Sequence, residues 1–385
     1  MKKCLIILVV ICLVLALSAG FISCTPTRST LNGAQNNSIH LDPPQSPFTR
    51  VNASGESDAQ GGYILFGTYP QTVVTDKTLS AALLAEVGAV NNSELGNWKD
   101  EDDFLSVYVT YGNQTYFGMH IIHKRYFPEE AIGNRNPQGD NGYSVGFGNN
   151  YYWFKCEPIK WRILSEENGK ALLFSELILD SEDYYNSNSN IEFSHNGGQG
   201  YANNYEFSNI RKWLNGTFYN RAFTEVDKEL ILATTLDNSA KSTNPNSDAA
   251  AINGGVNTYA DGSVSDRIFL LSLQEATNVG YGFADYEQLG PTSSPYANSD
   301  PLRKKMATDY AQSRGLRLSF SYYERQMRND FVTWPVSGEG SWWLRSPYYF
   351  NAQQAQCVFT VGELGVSNVR NTSIGVVPAL RLKLA

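Results

Sequence analysis

Ile159-Lys160-Trp161-Arg162-Ile163-Leu164, then Glu166-Glu167-Asn168-Gly169, then Ala171-Leu172-Leu173-Phe174-Ser175 is the most regular stretch of the chain. Two apolar runs flank an Asn-Gly pair, and those two residues tolerate the positive φ that a two-residue hairpin turn demands. The stretch therefore predicts a β-hairpin. Working outward, Tyr63-Ile64-Leu65-Phe66-Gly67-Thr68-Tyr69-Pro70-Gln71 reads as a strand followed by a turn. Further strands are expected at Leu105–Tyr111 and Thr115–His123, before a stretch rich in glycine and asparagine from Gly133 to Asn150. Ser208-Asn209-Ile210-Arg211-Lys212-Trp213-Leu214-Asn215 has a Ser or Asn cap and apolar residues at the spacing of one helical face. A second helix is expected from Thr224 to Ile231, where Thr224 and Asp227 have the spacing of a capping box with Asp in place of Glu. Ile268-Phe269-Leu270-Leu271-Ser272 resumes strand character, and Trp342 to Leu384 alternates turn residues with short β-prone runs. No repeat of fixed period and no linker follows Gly61, so one α+β domain with long loops is the economical organisation.

Composition narrows the class. A net charge of -8 over 385 residues, with no compensating basic stripe, argues against a nucleic-acid partner. Aromatics at 13%, with 23 Tyr and 7 Trp beside 32 Gly and only 18% charged residues, suit a loop-rich extracellular module with a polar-aromatic surface. The N-terminus agrees with export. Met1-Lys2-Lys3 is positive, and the apolar run from Cys4 to Ala19 falls short of the roughly 20 residues a spanning helix needs. Residues 1–23 are expected to be a signal peptide. Phe21-Ile22-Ser23-Cys24 resembles a bacterial lipobox, which makes Cys24 the lipidated first residue of the mature chain and the cell surface, outer-membrane-anchored, its location. Residues 24–61, poor in large apolar groups, cannot bury enough surface to offset their ordering entropy and are expected to be a flexible polar tether; His40 within it carries no catalytic meaning. The domain would then occupy residues 62–385. Of five cysteines, Cys156 and Cys357 remain after the signal peptide and Cys24 are set aside, too few for a disulfide framework.

Seven blocks in fixed order carry a resemblance: Ile64–Gln71, Trp161-Arg162-Ile163-Leu164, Ser208–Asn215, Ala222-Phe223-Thr224, Asp266-Arg267-Ile268-Phe269-Leu270-Leu271-Ser272, Trp342-Trp343-Leu344-Arg345-Ser346-Pro347 and Gly375-Val376-Val377-Pro378-Ala379-Leu380. From Tyr63 to its end the chain resembles the variable proteins of diversity-generating retroelements, a bacterial family with the C-type lectin fold related to the formylglycine-generating enzymes. The lipobox and the late WWLRSP block bring it nearest to the lipoprotein members. The resemblance implies that adenine-directed mutagenesis rewrites asparagine codons near the 3′ end of the gene, giving most residue types but not Gln, Glu, Lys, Met or Trp. On that criterion Gln353, Gln354, Gln356, Glu363, Trp342, Trp343 and Lys383 are fixed scaffold. The positions expected to face ligand are Tyr348, Tyr349, Phe350, Asn351, Cys357, Phe359, Thr360, Ser367, Asn368, Arg370, Asn371, Thr372 and Ser373. The family usually has Arg before Pro-Ala-Leu, where this chain has Val377.

Side-chain chemistry agrees with a binding surface there. Tyr348-Tyr349-Phe350 offers large rings at low rotamer cost, and the Asn, Ser, Thr and Arg around them supply adaptable hydrogen bonding. The competing reading packs these rings into a core, as is expected of Trp161, Trp213, Trp342 and Trp343. Other constellations are weaker. His120 and His123 would face opposite sides of a strand, without a third ligand, so no metal is expected. Glu101, Asp102 and Asp103 read as a solvated turn, His195 as loop, and Asn253-Gly254-Gly255 as a simple turn.

Two functions from different classes follow. One is a monomeric, surface-displayed binding protein without a cofactor, not an enzyme, whose partner is a protein or other extracellular ligand. The other is a copper oxidase of the formylglycine-generating type, which would need Cys357 paired with a second thiol, Cys156 being the one available. Labelling with radioactive palmitate is expected to tag the wild type and not Cys24→Ser, while a cleaved, unlabelled wild-type product would make the chain a secreted one.

Overall fold

The computed structural model describes residues 47–90, 95–101, 104–121, 151–186, 189–195, 198–240, 259–260, 262–285, 299–318 and 338–384. The expected signal peptide, Cys24, His40, Asp102, Asp103, His123, Gly133–Asn150 and Asn253–Gly255 lie outside them.

The domain starts before the expected boundary. β1 (Thr49–Val51) pairs antiparallel with the start of β2 (Tyr63–Val73), setting Thr49 opposite Leu65 and Val51 opposite Tyr63. Val51 is buried, and Arg50 bonds both the Gly61 carbonyl and the Glu166 carboxylate. A tether reaching Gly61 is therefore corrected: residues 47–61 belong to the domain. Three residues are too few to show a period, and their pairing comes from β2 rather than from local preference.

Next come a helix, α1 (Lys77–Val87), and a meander of β3 (Lys99–Asp100), β4 (Phe104–Tyr111) and β5 (Gln114–Ile121). Asp76 caps α1 by accepting from the Thr78 and Leu79 amides. Strand β6 (Tyr151–Glu167) is 17 residues long and is the spine of the large sheet. It pairs with β2, with β5 through Tyr151–Lys155, and with β7 (Lys170–Ser175) through Trp161–Glu167. The β6–β7 turn is the expected one: Asn168 and Gly169 have φ of 52° and 70°, the left-handed region that a two-residue turn requires.

After β8 (Asp180–Ser181) and the hairpin β9 (Glu192–His195) and β10 (Gly198–Tyr201), the chain turns helical. Ser208 caps Asn209–Trp213 through the Arg211 amide, a π-turn spans Leu214–Phe218, and Tyr219–Ala222 completes the run. Glu225–Leu230 carries the capping box expected of Thr224 and Asp227. Short strands follow: β11 (Ile231–Leu232), β12 (Thr234–Leu236), β13 (Val264–Asp266), β14 (Ile268–Phe269) and β15 (Lys305–Met306). The helix Asp309–Ser313 precedes β16 (Glu339–Gly340), β17 (Trp342–Pro347), β18 (Gln354–Val358), β19 (Leu364–Asn368), β20 (Gly375–Val376) and β21 (Ala379–Lys383).

Strand β21 closes the architecture. It lies between β7 on one side and β11 and β14 on the other, with Ala379 opposite Phe174 and Lys383 opposite Lys170. A second sheet, ordered β19-β18-β17-β20-β8, is antiparallel except where β17 meets β20. The result is an α+β domain dominated by sheet.

One large core joins the two sheets. Trp161, Trp342 and Trp343 are wholly buried, and Trp213 is half-buried. Trp342 packs on Phe174 at 5.4 Å between ring centroids, and Trp343 on Tyr184 at 5.5 Å. Their indole N–H groups donate to the Arg303 and Glu182 carbonyls at 3.0 and 2.9 Å. Truncating such a side chain costs about 3–5 kcal/mol, which makes these tryptophans scaffold. The other quoted blocks are structural too. Arg211 lies on the Asp266 carboxylate at 2.7 Å, and Asn215 bonds both faces of Ile268 through its N–H and carbonyl. Arg345 bonds Asn238, the Leu270 carbonyl and Glu275. Val377, where Arg was expected, is fully buried. A smaller core of Leu83, Trp98, Leu105, Val107, Val109, Tyr116 and Trp153 fixes α1 to the meander.

Lys305 is a test of the inter-sheet region. Burial pushes its ammonium down to about 7, against the pull of Glu176, and it donates to the Ser175 carbonyl at 2.9 Å. The folded pKa lies below the unfolded value near 10.4, so between these the unfolded chain holds the extra proton and stability rises with pH. Unfolding free energy measured by urea denaturation is expected to increase from pH 7 to about pH 9 in the wild type, and Lys305→Met is expected to flatten that rise.

Candidate functional site

Strand β17 ends at Pro347, which has no N–H to continue a ladder, and the chain reverses over residues 348–353 before β18. The Tyr348 amide donates to the Gln354 carbonyl at 3.1 Å, and the Asn351 side chain accepts from the Gln353 amide at 2.8 Å. Behind the turn stands Asn203, fully buried, whose Nδ2 donates to the carbonyls of Tyr348, Asn351 and Gln354 at 3.1, 3.1 and 3.0 Å. The three rings pack on one another, Tyr348 to Tyr349 at 5.2 Å and Tyr349 to Phe350 at 4.0 Å. Phe350 is 50% exposed and the tyrosines are half-buried, so the cluster is part of the surface and not of the core.

A second turn lies beside it. Asn368, at the end of β19, sits opposite Gln354, and the Val369 amide donates to the Gln353 carbonyl at 2.9 Å. Asn368 accepts from the Arg370 amide at 3.0 Å, Asn371 donates to the Ser367 hydroxyl at 3.0 Å, and Ser373 donates to the Asn371 side chain through its amide and hydroxyl. This turn is also held from outside itself. Its Val369 carbonyl accepts from the Tyr185 amide, its Thr372 carbonyl from the Ser181 hydroxyl, and its Ser373 carbonyl from the Arg317 amide. Asn368 and Arg370 are exposed, with the Arg370 guanidinium donating to the Ser189 carbonyl at 2.6 Å. Tyr185 in turn stacks on Phe193 of β9. Thus Tyr348–Asn351 and Ser367–Ser373 are brought to one end of the small sheet, flanked by Tyr185, Ser189 and the β9–β10 hairpin.

Three expected positions do not join them. Cys357 sits opposite Trp343 with its side chain in the large core and no exposure, and burial pushes its thiol pKa up, so it cannot face a ligand. Phe359 and Thr360 lie beyond Val358, in the turn at the opposite end of β18, about 17 Å from the aromatic turn at the rise of a strand. The Phe359 ring lies over Gly365, where a Cβ would collide with it, and so it packs as scaffold. The sequence criterion selects residue types and has no access to side-chain direction, which is why it admitted Cys357. Tyr185, Ser189 and Asn203 it missed; an Asn-Asn pair ahead of Tyr205 is a faint cue, but nothing local says what a buried amide will hold.

Other chemistry finds little here. Cys156 is a half-buried free thiol on β6, pushed up to about 12 by burial, while Cys357 is a free thiol in the other sheet. His120 stacks on Tyr151 at 4.5 Å, and His195 lies in β9, against Phe207, rather than in a loop. Glu101 is no solvated turn residue, because it pairs with Arg221 at 3.2 Å and accepts from the Ser106 hydroxyl. No group of three or more His, Cys, Asp or Glu able to hold a metal occurs among the described residues.

Asn203→Ala is expected to lower unfolding free energy by about 1–3 kcal/mol, because it removes the buried amide that ties three carbonyls together and leaves that of Tyr348 without a donor. Hydrogen exchange is expected to quicken at the Tyr348 and Gln354 amides before it does in the large sheet.

No curated protein and no solved structure matches the chain. Residues 168–384, from the β6–β7 turn through β21, match a family model described as Domain of unknown function (DUF6273). That span covers more than half of the sequence and includes both turns, and the chain belongs to the DUF6273 family.

Proposed function

We propose that this chain is a surface-displayed lipoprotein, anchored to the outer membrane through Cys24, whose domain binds an extracellular ligand through the two turns Tyr348–Asn351 and Ser367–Ser373. In this reading the domain has the C-type lectin fold of retroelement variable proteins, and the turns are the positions that the retroelement rewrites. The observation that carries it is the arrangement of these turns: adjacent at one end of the small sheet, pinned from behind by Asn203, Tyr185 and Ser181, and presenting Phe350, Asn368 and Arg370 outward. Rigid rings beside short polar side chains are the composition of a paratope. The seven sequence blocks, and a second sheet four of whose five strands lie between β14 and β21, support the fold assignment. Nothing in the geometry favours the copper oxidase, since its two thiols sit in different sheets and one is enclosed.

Two readouts test the proposal. Sister copies of the gene are expected to differ at Tyr348–Asn351, Ser367, Asn368 and Arg370–Ser373 and to agree at Trp342, Trp343, Gln353, Gln354, Gln356, Cys357, Glu363 and Lys383. A near-repeat of the codons for residues 342–384 is expected beside a reverse-transcriptase gene. Variation spread evenly over the domain, with no such repeat, would reject diversification.

A further inference from the structure

The large sheet carries a cleft that the C-terminal turns do not touch. Two hollows of about 680 and 460 Å³ meet at Tyr108 and Arg221, where the β4–β5 hairpin faces the helical run that ends at Ala222. Tyr108 is 45% exposed. The Arg221 side chain is only 9% exposed, lies over the Phe117 ring at 5.1 Å, pairs with Glu101 at 3.2 Å and donates to the Tyr310 hydroxyl at 3.2 Å.

Arg221 differs from Arg303 and Arg345, which are enclosed more completely. Arg303 donates to the carbonyls of Gly362, Ala276 and Ala284 beside Asp300. Arg345 bonds Asn238, the Leu270 carbonyl and Glu275. A guanidinium has five N–H donors, and a buried one left under-engaged is costly unless something accepts from it. With Glu101 and Tyr310 as its acceptors, Arg221 keeps donors for the hollows it lines.

The smaller hollow shows what could accept them. Among the described residues, Arg221 is the one charged side chain in its wall, beside Thr68, Asn113, Gln114, Thr115 and Cys156. Glu157, the neighbouring acid on β6, is turned away and accepts from the Thr72 amide and hydroxyl. Gln114 is held by its N–H donation to the Thr115 and Cys156 carbonyls at 2.8 Å, which leaves its carboxamide oxygen to accept. In the larger hollow Lys99 and Glu101 add one positive and one negative charge, so among the described residues the cleft is lined by two cations and one anion. That balance suits a monoanion. A planar carboxylate matches the guanidinium fork, and a dianionic phosphate would leave charge uncompensated.

We propose that this cleft binds a small carboxylate-bearing polar molecule, its carboxylate on Arg221, its hydroxyl or amide groups on the hairpin polar groups, and its apolar face on the Tyr108 ring. An acidic sugar and an N-acyl amino acid share this chemistry. Isothermal titration of the full-length, detergent-solubilised chain with D-galacturonate, N-acetylneuraminate and N-acetyl-L-alanine, each beside its methyl ester, separates them. At least one acid is expected to saturate, with its ester weaker by about tenfold or more. Response to the sugar acids alone, or to the amino acid alone, identifies the source. Asn113 is exposed at the hairpin tip, so Asn113→Asp is expected to keep the melting temperature and weaken the responding acid by about tenfold, whereas Asn113→Lys is expected not to weaken it. The proposal is overturned if no acid saturates by about 10 mM, if the esters bind as well as the acids, or if Asn113→Asp binds like wild type.

Discussion

Everything in this domain depends on β21 finding its place between β7 and the pair β11 and β14. The Leu384 amide donates to the Gly169 carbonyl, so the residue after β21 is stitched to the Asn168-Gly169 hairpin of the large sheet. The small sheet is thereby an excursion closed at both ends. Its depth is set by Trp342, which packs on Phe174 of β7, and by Trp343, whose ring meets Tyr184. Joining residues about 200 positions apart involves a large loop-closure entropy, though one that grows only slowly with length. The apolar burial around the two indoles is what offsets it.

How far the sequence could be read follows from the range of the interactions involved. The Asn168-Gly169 hairpin, the Ser208 cap and the Thr224 capping box were legible because each is decided within a few residues, by φ or by a side chain reaching its own helix end. The burial of Trp161, Trp342 and Trp343 was legible from their apolar neighbours. β1 was not, because a three-residue strand exists only as the partner of β2. Nor was the inward direction of Cys357, which depends on how β18 lies against β17 and on which face the core takes. At the candidate surface the aromatic cluster and the polar turn were both anticipated as composition. Their meeting was not, since it follows from the register that sets Gln354 opposite Asn368. The same register carries Phe359 and Thr360 to the far end of β18.

Charge is distributed with the same economy. A chain of net charge -8 draws Arg303, Lys305 and Arg345 almost wholly inside. There Arg303 and Arg345 donate to carbonyls of irregular segments, and Lys305 to the carbonyl at the end of β7. Loops as long as these would otherwise have to stay at the surface. The cleft at Arg221 departs from this pattern, because its cation faces a hollow and is met by two acceptors.

The grip of Asn203 has a consequence for evolution. Its amide takes hold of carbonyl oxygens, and every amino acid carries the same carbonyl. A mutation at Tyr349 or Phe350 therefore changes what the turn offers to the outside without altering the carbonyls to which Asn203 donates. New sequences could be tried at these sites while the fold's stability stays nearly level, as if the display were written on an interchangeable card in a fixed holder.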